Sequence, residues 1–161
     1  VEVALLGDTF RYAASERPAS DADFRLPFAV EGWIYPEGSI PDDGFIPVAE
    51  GAIGRWFCRG WQLIDERRPE PHAATTQLFV FGEIRPDRLL PPDHLPTDGL
   101  EGTFGREATN RAVIGGVGRY LGATGSVRQT PTGVNTTVFA DGSEDSGPNS
   151  LFEFDLIVAD G

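Results

Sequence analysis

Proline and glycine interrupt this chain so often that long helices are excluded. The 161 residues include 13 Pro and 20 Gly, and no 11-residue segment repeats apolar positions at helical spacing without one of them intruding. The stretches between them are short and rich in β-branched and aromatic residues. The pattern predicts an all-β protein, and its length suits a single domain spanning residues 1–161.

The predicted strands are separated by turn residues such as Pro41-Asp42-Asp43-Gly44. They are Val3–Leu6, Thr9–Tyr12, Phe28–Tyr35, Ile53–Asp65, Thr75–Ile84, Gly99–Gly105, Arg111–Ile114, Gly118–Gln129, Val134–Phe139 and Leu151–Ala159. Short strands at this spacing are typical of an antiparallel sandwich or a closed barrel. The stretch Arg85–Asp98 contains four prolines, so we expect a long loop there that lids a binding site.

The predicted strand at Gly54–Asp65 leaves one question open. One face presents Arg55, Phe57, Arg59, Trp61 and Leu63, and the other presents Trp56, Cys58, Gly60, Gln62 and Ile64. Both faces carry large apolar groups, so alternation does not show which one lines a lumen.

Charge and residue usage exclude several functional classes. The formal charge of −12 disfavours a nucleic acid or an anionic membrane as partner, because phosphate binding needs a basic face. The chain has no Lys, which excludes Schiff-base chemistry, and Cys58 is its one cysteine. Neither His72 nor His94 lies in a metal-ligand spacing, so we expect no metal site. No apolar run approaches 18 residues, and we expect a cytoplasmic protein.

A glycine-rich segment carries the most specific signal. Ala112–Gly125 reads Ala-Val-Ile-Gly-Gly-Val-Gly-Arg-Tyr-Leu-Gly-Ala-Thr-Gly. It lacks the glycine spacing and the following helix of a dinucleotide-binding turn. It resembles instead the strand–turn–strand signature of the allene oxide cyclase and dirigent protein superfamily. Shorter segments follow in that superfamily's order, namely Leu6–Asp8, Ile53–Arg55, Phe79–Gly82 and Leu151–Val158.

The resemblance implies an eight-stranded antiparallel β-barrel with an apolar lumen. It implies a homo-oligomer, a dimer or a trimer, that works without metal or organic cofactor. Such barrels impose one ring closure or one stereochemistry on an apolar substrate. The exclusive use of Arg suits a GC-rich bacterial gene, so we favour the bacterial branch that closes rings in polyketides. Arg11, Gly60 and Thr124 depart from the plant motifs, at positions where those have Pro, Cys and Arg.

Candidate site residues follow from their chemistry. Arg59 and Arg128 could polarise a carbonyl or form outward salt bridges. Glu31 could be a general base or an Arg-paired carboxylate, and Tyr12 and Tyr35 could donate to an oxyanion or lie at the rim. The aromatic residues that could shape the substrate, or serve as barrel core or subunit interface, are Trp33, Trp56, Phe57, Trp61, Phe79, Phe81 and Tyr120.

Three functions remain open at this stage. The first is a cofactor-free cyclase acting on an apolar polyketide. The second is a dirigent-like protein that controls the stereochemistry of ketal formation or dehydration in a reactive intermediate. The third is a lipocalin-like carrier without turnover.

Overall fold

One antiparallel sheet accounts for most of the structure. The computed structural model describes residues 1–12, 27–63, 72–82, 93–102, 107–138 and 144–158. The strands are β1 (Glu2–Leu5), β2 (Arg11–Tyr12), β3 (Pro27–Tyr35), β4 (Gly54–Leu63), β5 (His72–Phe81), β6 (Asp93–Gly102), β7 (Thr109–Val113), β8 (Thr124–Val138) and β9 (Glu144–Ile157). The described residues contain no α-helix, which confirms the all-β prediction. Accordingly, none of them forms a helix of the length and apolarity that a membrane span requires.

The sheet closes into an eight-stranded barrel. The strand order is β1-β9-β8-β7-β6-β5-β4-β3, and β1 pairs with β3 to complete the ring. The two-residue strand β2 pairs with the same edge of β3, beyond the 3-10 turn at Gly7–Thr9 that interrupts the edge. The predicted closed antiparallel barrel is therefore confirmed.

Alternation along the last strand shows how the barrel buries its core. Phe152 is 1% exposed, whereas its neighbours Glu153 and Asp155 face solvent. Inward residues of successive strands meet as cross-strand partners, for example Phe152 with Gln129 and Phe154 with Val127. The core therefore lies inside the barrel.

The structure corrects the predicted loop at Arg85–Asp98. Asp93–Asp98 belongs to β6, which pairs with β5 along its whole length, whereas residues 85–92 lie outside the described part. Pro96 is tolerated because its carbonyl accepts a hydrogen bond from Ile114 on the β7 side. In an antiparallel strand the N–H and C=O of one residue point towards the same neighbouring strand. The carbonyl of Pro96 faces β7, so an N–H at this position would face β7 too, and its absence costs no hydrogen bond to β5.

Two predicted strands turn out to be one. Val134–Val138 continues the strand that begins at Thr124, and a bulge between Pro131 and Gly133 shifts its register. Pro131 and Gly133, at the bulge, are typical turn residues, so the sequence predicts a break between two strands there. Gly118–Tyr120, predicted as strand, forms a 3-10 turn instead.

Gly116 supports the chain reversal between β7 and β8. A Cβ atom at this position would overlap the backbone carbonyl oxygen of Tyr120. We expect Gly116→Ala to lower the free energy of unfolding by about 1–3 kcal/mol, measured by urea denaturation. Gly7→Ala is the control, because its Cβ would meet the Asp145 side chain at an ordinary contact distance of 3.4 Å. Equal losses in both variants would contradict this account.

Candidate functional site: the barrel lumen

The pairing of β4 with its neighbours decides which of its faces is inside. Trp56 is 4% and Cys58 3% exposed, whereas Trp61 is 58% exposed. Cys58 lies opposite Val30 of β3 and Gln77 of β5, both of which are buried. The face of Trp56 and Cys58 therefore lines the lumen, and the face of Arg55, Phe57, Arg59 and Trp61 lies outside.

A cavity occupies one end of the lumen. We call this the mouth end; β3 begins there at Pro27 and β4 ends there at Leu63. The cavity has a volume of about 80 Å³. Its lining residues are Val3, Leu5, Phe10, Phe28, Val30, Trp56, Cys58, Glu101, Gly102, Gln129, Pro131, Pro148, Ser150 and Phe152. Most of this wall is apolar, and among the described lining residues Glu101 is the one carboxylate.

Aromatic rings fill the opposite, plugged end. Phe79 is fully buried, and its ring lies edge-on to Phe152 at 4.9 Å and to Phe154 at 5.0 Å between centroids. Phe81 packs on Tyr120 at 5.4 Å, which places the glycine-rich turn over this end. Edge-to-face packing of this kind is favourable beyond the area it buries. We call this aromatic cluster the plug, and it fills the lumen at the end opposite the cavity.

A polar cluster interrupts the apolar wall between the cavity and the plug. Gln77 donates through Nε2 to Glu101 Oε2 at 2.9 Å, and Cys58 Sγ lies 3.8 Å from Glu101 Oε1. Behind them Arg111 donates to the Thr75 carbonyl at 2.7 Å and to Thr97 Oγ1 at 3.2 Å. These groups come from β4, β5, β6 and β7, which are consecutive neighbours in the sheet, so the pairing of these strands brings them together.

Burial controls the protonation of this cluster. Desolvation raises the pKa of the Glu101 carboxyl, although the Arg111 guanidinium 3.7 Å away opposes the shift. Desolvation lowers the pKa of Arg111, and Glu101 opposes that shift in turn. Burial, and then the nearby Glu101, raises the pKa of the Cys58 thiol, so Cys58 stays a neutral thiol rather than a nucleophile.

The cluster can move a proton beside an apolar ligand. A carboxyl with a raised pKa serves as an acid towards a ligand oxygen and takes the proton back afterwards. Within the described part of the chain, no three His, Cys, Asp or Glu side chains come together as metal ligands.

Several predicted site residues lie on the outer face of β3 and β4. Glu31 forms an ion pair with Arg55, whose guanidinium stacks 4.2 Å from the centroid of the Trp33 ring. Phe57 and the exposed Arg59 share this face. The structure therefore does not bring Glu31, Trp33, Phe57, Arg59 or Trp61 into the lumen.

The remaining predicted residues lie in several different places. Tyr35 is buried, donates its hydroxyl to the Val48 carbonyl at 2.6 Å and accepts from the Val48 N–H at 3.0 Å, so it holds the segment after β3 in place. Arg128 faces outwards opposite Glu153. Tyr12 pairs with Phe28 through the backbone, and its side chain is outside the described part. Trp56 lines the cavity, and Phe79, Phe81 and Tyr120 form the plug.

Sequence reasoning missed Glu101, Arg111, Gln77 and Gln129. In the predicted strand at Gly99–Gly105, Leu100 and Phe104 are the large apolar residues and share one face, so alternation alone would turn Leu100 inwards and Glu101 outwards. The structure shows the reverse, because Leu100 is 52% exposed and Glu101 lines the cavity. A local pattern cannot identify an inward carboxylate whose partners lie on other strands.

Comparisons with known proteins support the fold. Eighteen chains of solved structures match. Two of them are pterocarpan synthase dirigent proteins, with TM-scores of 0.59 and 0.58 and identities of 12% and 14%. The matches cover 95% of this chain and 86% and 85% of the respective neighbours. A pyocyanin demethylase matches at a TM-score of 0.51 and 10% identity, covering 95% of this chain and 98% of the demethylase.

These identities establish a shared barrel fold and nothing finer. No protein-family model matches the sequence, and neither does any curated protein. The resemblance to dirigent proteins is therefore confirmed at the level of architecture. The bacterial branch and the likeness to allene oxide cyclases remain predictions.

Proposed function

We propose that the lumen binds an apolar small molecule and closes a ring in it with one stereochemistry, without a cofactor. One observation carries the proposal: Glu101, a carboxyl held by Gln77 at 2.9 Å, faces a cavity whose other described walls are mainly apolar. Burial raises the pKa of Glu101, which favours the protonated acid that such a step needs.

The shape of the cavity supports stereocontrol. β1 and β3 contribute the apolar wall at Val3, Leu5, Phe28 and Val30. Glu101 lies on β6, four places from β1 in the ring of eight strands and hence across the barrel from it. A ligand with one oxygen-bearing edge therefore gains most when that edge faces Glu101 and its hydrocarbon faces β1 and β3. This preference orients the molecule before the ring closes.

The reaction that fits these groups is an internal addition. Glu101 donates its proton to the carbonyl oxygen of an enone, and a hydroxyl oxygen of the same molecule bonds to the β-carbon as the C=C π bond breaks. The hydroxyl proton returns to the Glu101 carboxylate, and the enol relaxes to the ketone. Substrate and product are isomers, so the step needs no co-reactant. Holding the reacting atoms together can contribute about 7–11 kcal/mol to lowering such a barrier.

Polyketides remain the substrate class that we propose, on the resemblance of the glycine-rich segment and the exclusive use of Arg. The cavity volume of about 80 Å³ is room for roughly half a dozen water molecules. This is the scale of the reacting end of such a chain rather than of a whole polyketide.

A dirigent-like role is the second candidate, and the fold shared with two pterocarpan synthase dirigent proteins supports it. Incubating the purified protein with a hydroxy-enone separates the two roles. Faster cyclisation to one enantiomer supports the cyclase. A changed enantiomer ratio without a gain in rate supports stereocontrol, and binding with neither effect leaves a carrier. Absence of binding would contradict both candidates.

We also propose that the protein forms a homo-oligomer through its outer face. Trp61 of β4 is 58% and Leu100 of β6 52% exposed, and both pair with Ala74 of β5. With the half-buried Ala74 between them they form an apolar row on the outer face, and exposed apolar surface of this kind marks association surfaces. Sedimentation of the wild type and of Trp61→Glu tests this proposal: the variant should shift towards the monomer, and a monomeric wild type would contradict it.

A further inference from the structure

Gln77 stands at the centre of the lumen and touches three other side chains. It is fully buried on β5. Its Oε1 accepts from Trp56 Nε1 at 3.4 Å, and its Nε2 donates to Glu101 Oε2 at 2.9 Å and to Gln129 Oε1 at 3.1 Å. A buried amide with this many partners has one orientation that satisfies them all.

Trp56 fixes which end of the amide meets Glu101. An indole N–H can only donate, so the atom of Gln77 facing it must be the carbonyl oxygen. The amide NH₂ then points at Glu101 and Gln129. Flipping it would set two donors against each other at Trp56.

This orientation has a consequence for the acid form of Glu101. Oε2 already accepts a hydrogen bond from Gln77, and it accepts more strongly as a carbonyl oxygen than as a protonated hydroxyl oxygen. Oε1 lies 3.8 Å from the Cys58 thiol, and a thiol is a weak hydrogen-bond partner. The carboxyl proton is therefore favoured on Oε1, and both Cys58 and Glu101 line the cavity.

We propose that Gln77 is a positioning residue that keeps the Glu101 proton on Oε1 and thereby selects lumen ligands that offer a hydrogen-bond acceptor oxygen, such as ketones. The proposal rests on the lumen being the ligand site, and it names the chemistry that the site recognises. A ketone accepts the Oε1 proton while its hydrocarbon packs against the apolar wall. A hydrocarbon of the same shape gains only the packing.

The selection depends on pH because it needs the protonated carboxyl. Glu101 is faced by the titratable groups Cys58 from β4 and Arg111 from β7, and by the uncharged Thr75 and Gln77 from β5 and Gln129 from β8. Ketone binding is complete below the pKa of Glu101 and is lost as the pH rises through it, since a carboxylate cannot donate. The Gln77 N–H favours the charged form, so its removal raises that pKa further.

Two probes of matched shape test the proposal in the full-length protein. Butanone carries the acceptor oxygen, and 2-methyl-1-butene replaces C=O by C=CH₂. We expect the affinity for butanone to fall about tenfold as Glu101 ionises, and that for 2-methyl-1-butene to stay constant. In Gln77→Leu the midpoint should move to higher pH by about one unit. Glu101→Gln should abolish the pH dependence, because the amide does not titrate in this range.

Carbon-13 NMR of the glutamate carboxyls provides a readout that needs no ligand. The Glu101 signal is identified by its loss in Glu101→Gln, and its titration midpoint should rise in Gln77→Leu. Trp56→Phe, which frees the amide to turn, should raise it as well and serves if Gln77→Leu does not fold. An unchanged midpoint in the variants overturns the role of Gln77, and equal pH profiles for the two probes overturn the selection. Failure of both probes to bind counts against the lumen as a ligand site, whereas the NMR midpoints still decide the role of Gln77.

Discussion

Replacing Glu101 by Gln should slow ring closure by about 10²–10⁴-fold, the contribution typical of a positioned acid–base group. The substitution keeps the size of the side chain and an oxygen that accepts from Gln77, so the barrel should remain folded. What it removes is the proton that the carboxyl gives to the substrate oxygen and receives back. The measurement is the initial rate of hydroxy-enone cyclisation by each protein, with product enantiomers separated by chiral chromatography.

Glu31→Gln is the matched control for this experiment. Glu31 is also a strand carboxylate beside aromatic residues, but it lies on the outer face in an ion pair with Arg55. Its replacement should leave the rate close to that of the wild type. A slow Glu31→Gln together with a fast Glu101→Gln would place the chemistry on the outer face and reject the lumen mechanism.

Replacing Arg111 by Met should destabilise the protein in a way that depends on pH. Arg111 is 2% exposed, and its guanidinium is the nearest described cation to Glu101. Without it the pKa of Glu101 rises further, because burial still opposes the charge and nothing of opposite sign compensates it. The unfolded chain ionises Glu at a pKa of about 4.3. The folded variant keeps the Glu101 proton to higher pH. Its free energy of unfolding therefore falls as the pH rises from the unfolded pKa of about 4.3 through the raised pKa of Glu101 in the folded protein.

The expected loss at alkaline pH is about 3–5 kcal/mol, the cost of leaving one buried charge without its partner. Below the unfolded pKa the loss should be smaller and should reflect only the hydrogen bonds to Thr97 and to the Thr75 carbonyl. Urea denaturation over a pH series measures both limits. The double variant Arg111→Met with Glu101→Gln should lose the added pH dependence. A single variant whose loss is the same at every pH would show that Glu101 does not feel Arg111.

Much of the architecture follows from local chemistry. Short β-branched segments between turn residues predicted an all-β chain, and the glycine-rich turn predicted the barrel type that the structure shows. Two errors in the predicted strands arose at prolines, which locally disfavour a paired strand but are tolerated by their surroundings here. Pro96 lies in a paired strand because its missing N–H faces away from β5, and Pro131 lies in β8 because a bulge absorbs the irregularity.

The candidate site was less accessible to sequence reasoning than the fold. Trp56 was predicted to shape the substrate, and it does line the cavity. The sequence favours Arg59 and Glu31 because a charge among aromatic and apolar residues suggests a site. In the structure those aromatic residues belong to the outer face, where Arg55 stacks on Trp33.

Sequence by itself determined that this chain forms strands, where most of them turn, and which side chains of a strand share a face. It could not determine which face looks inwards, because alternation has a period of two and is unchanged when inside and outside are exchanged. In the closed barrel, the register of neighbouring strands decides which face of each strand lies inside. The pairing of β5, β6 and β7 placed Gln77, Glu101 and Arg111 within a few ångströms, although they lie on three different strands. Their chemistry is a property of the ring of strands, because each group has its pKa and its partners only when the others surround it.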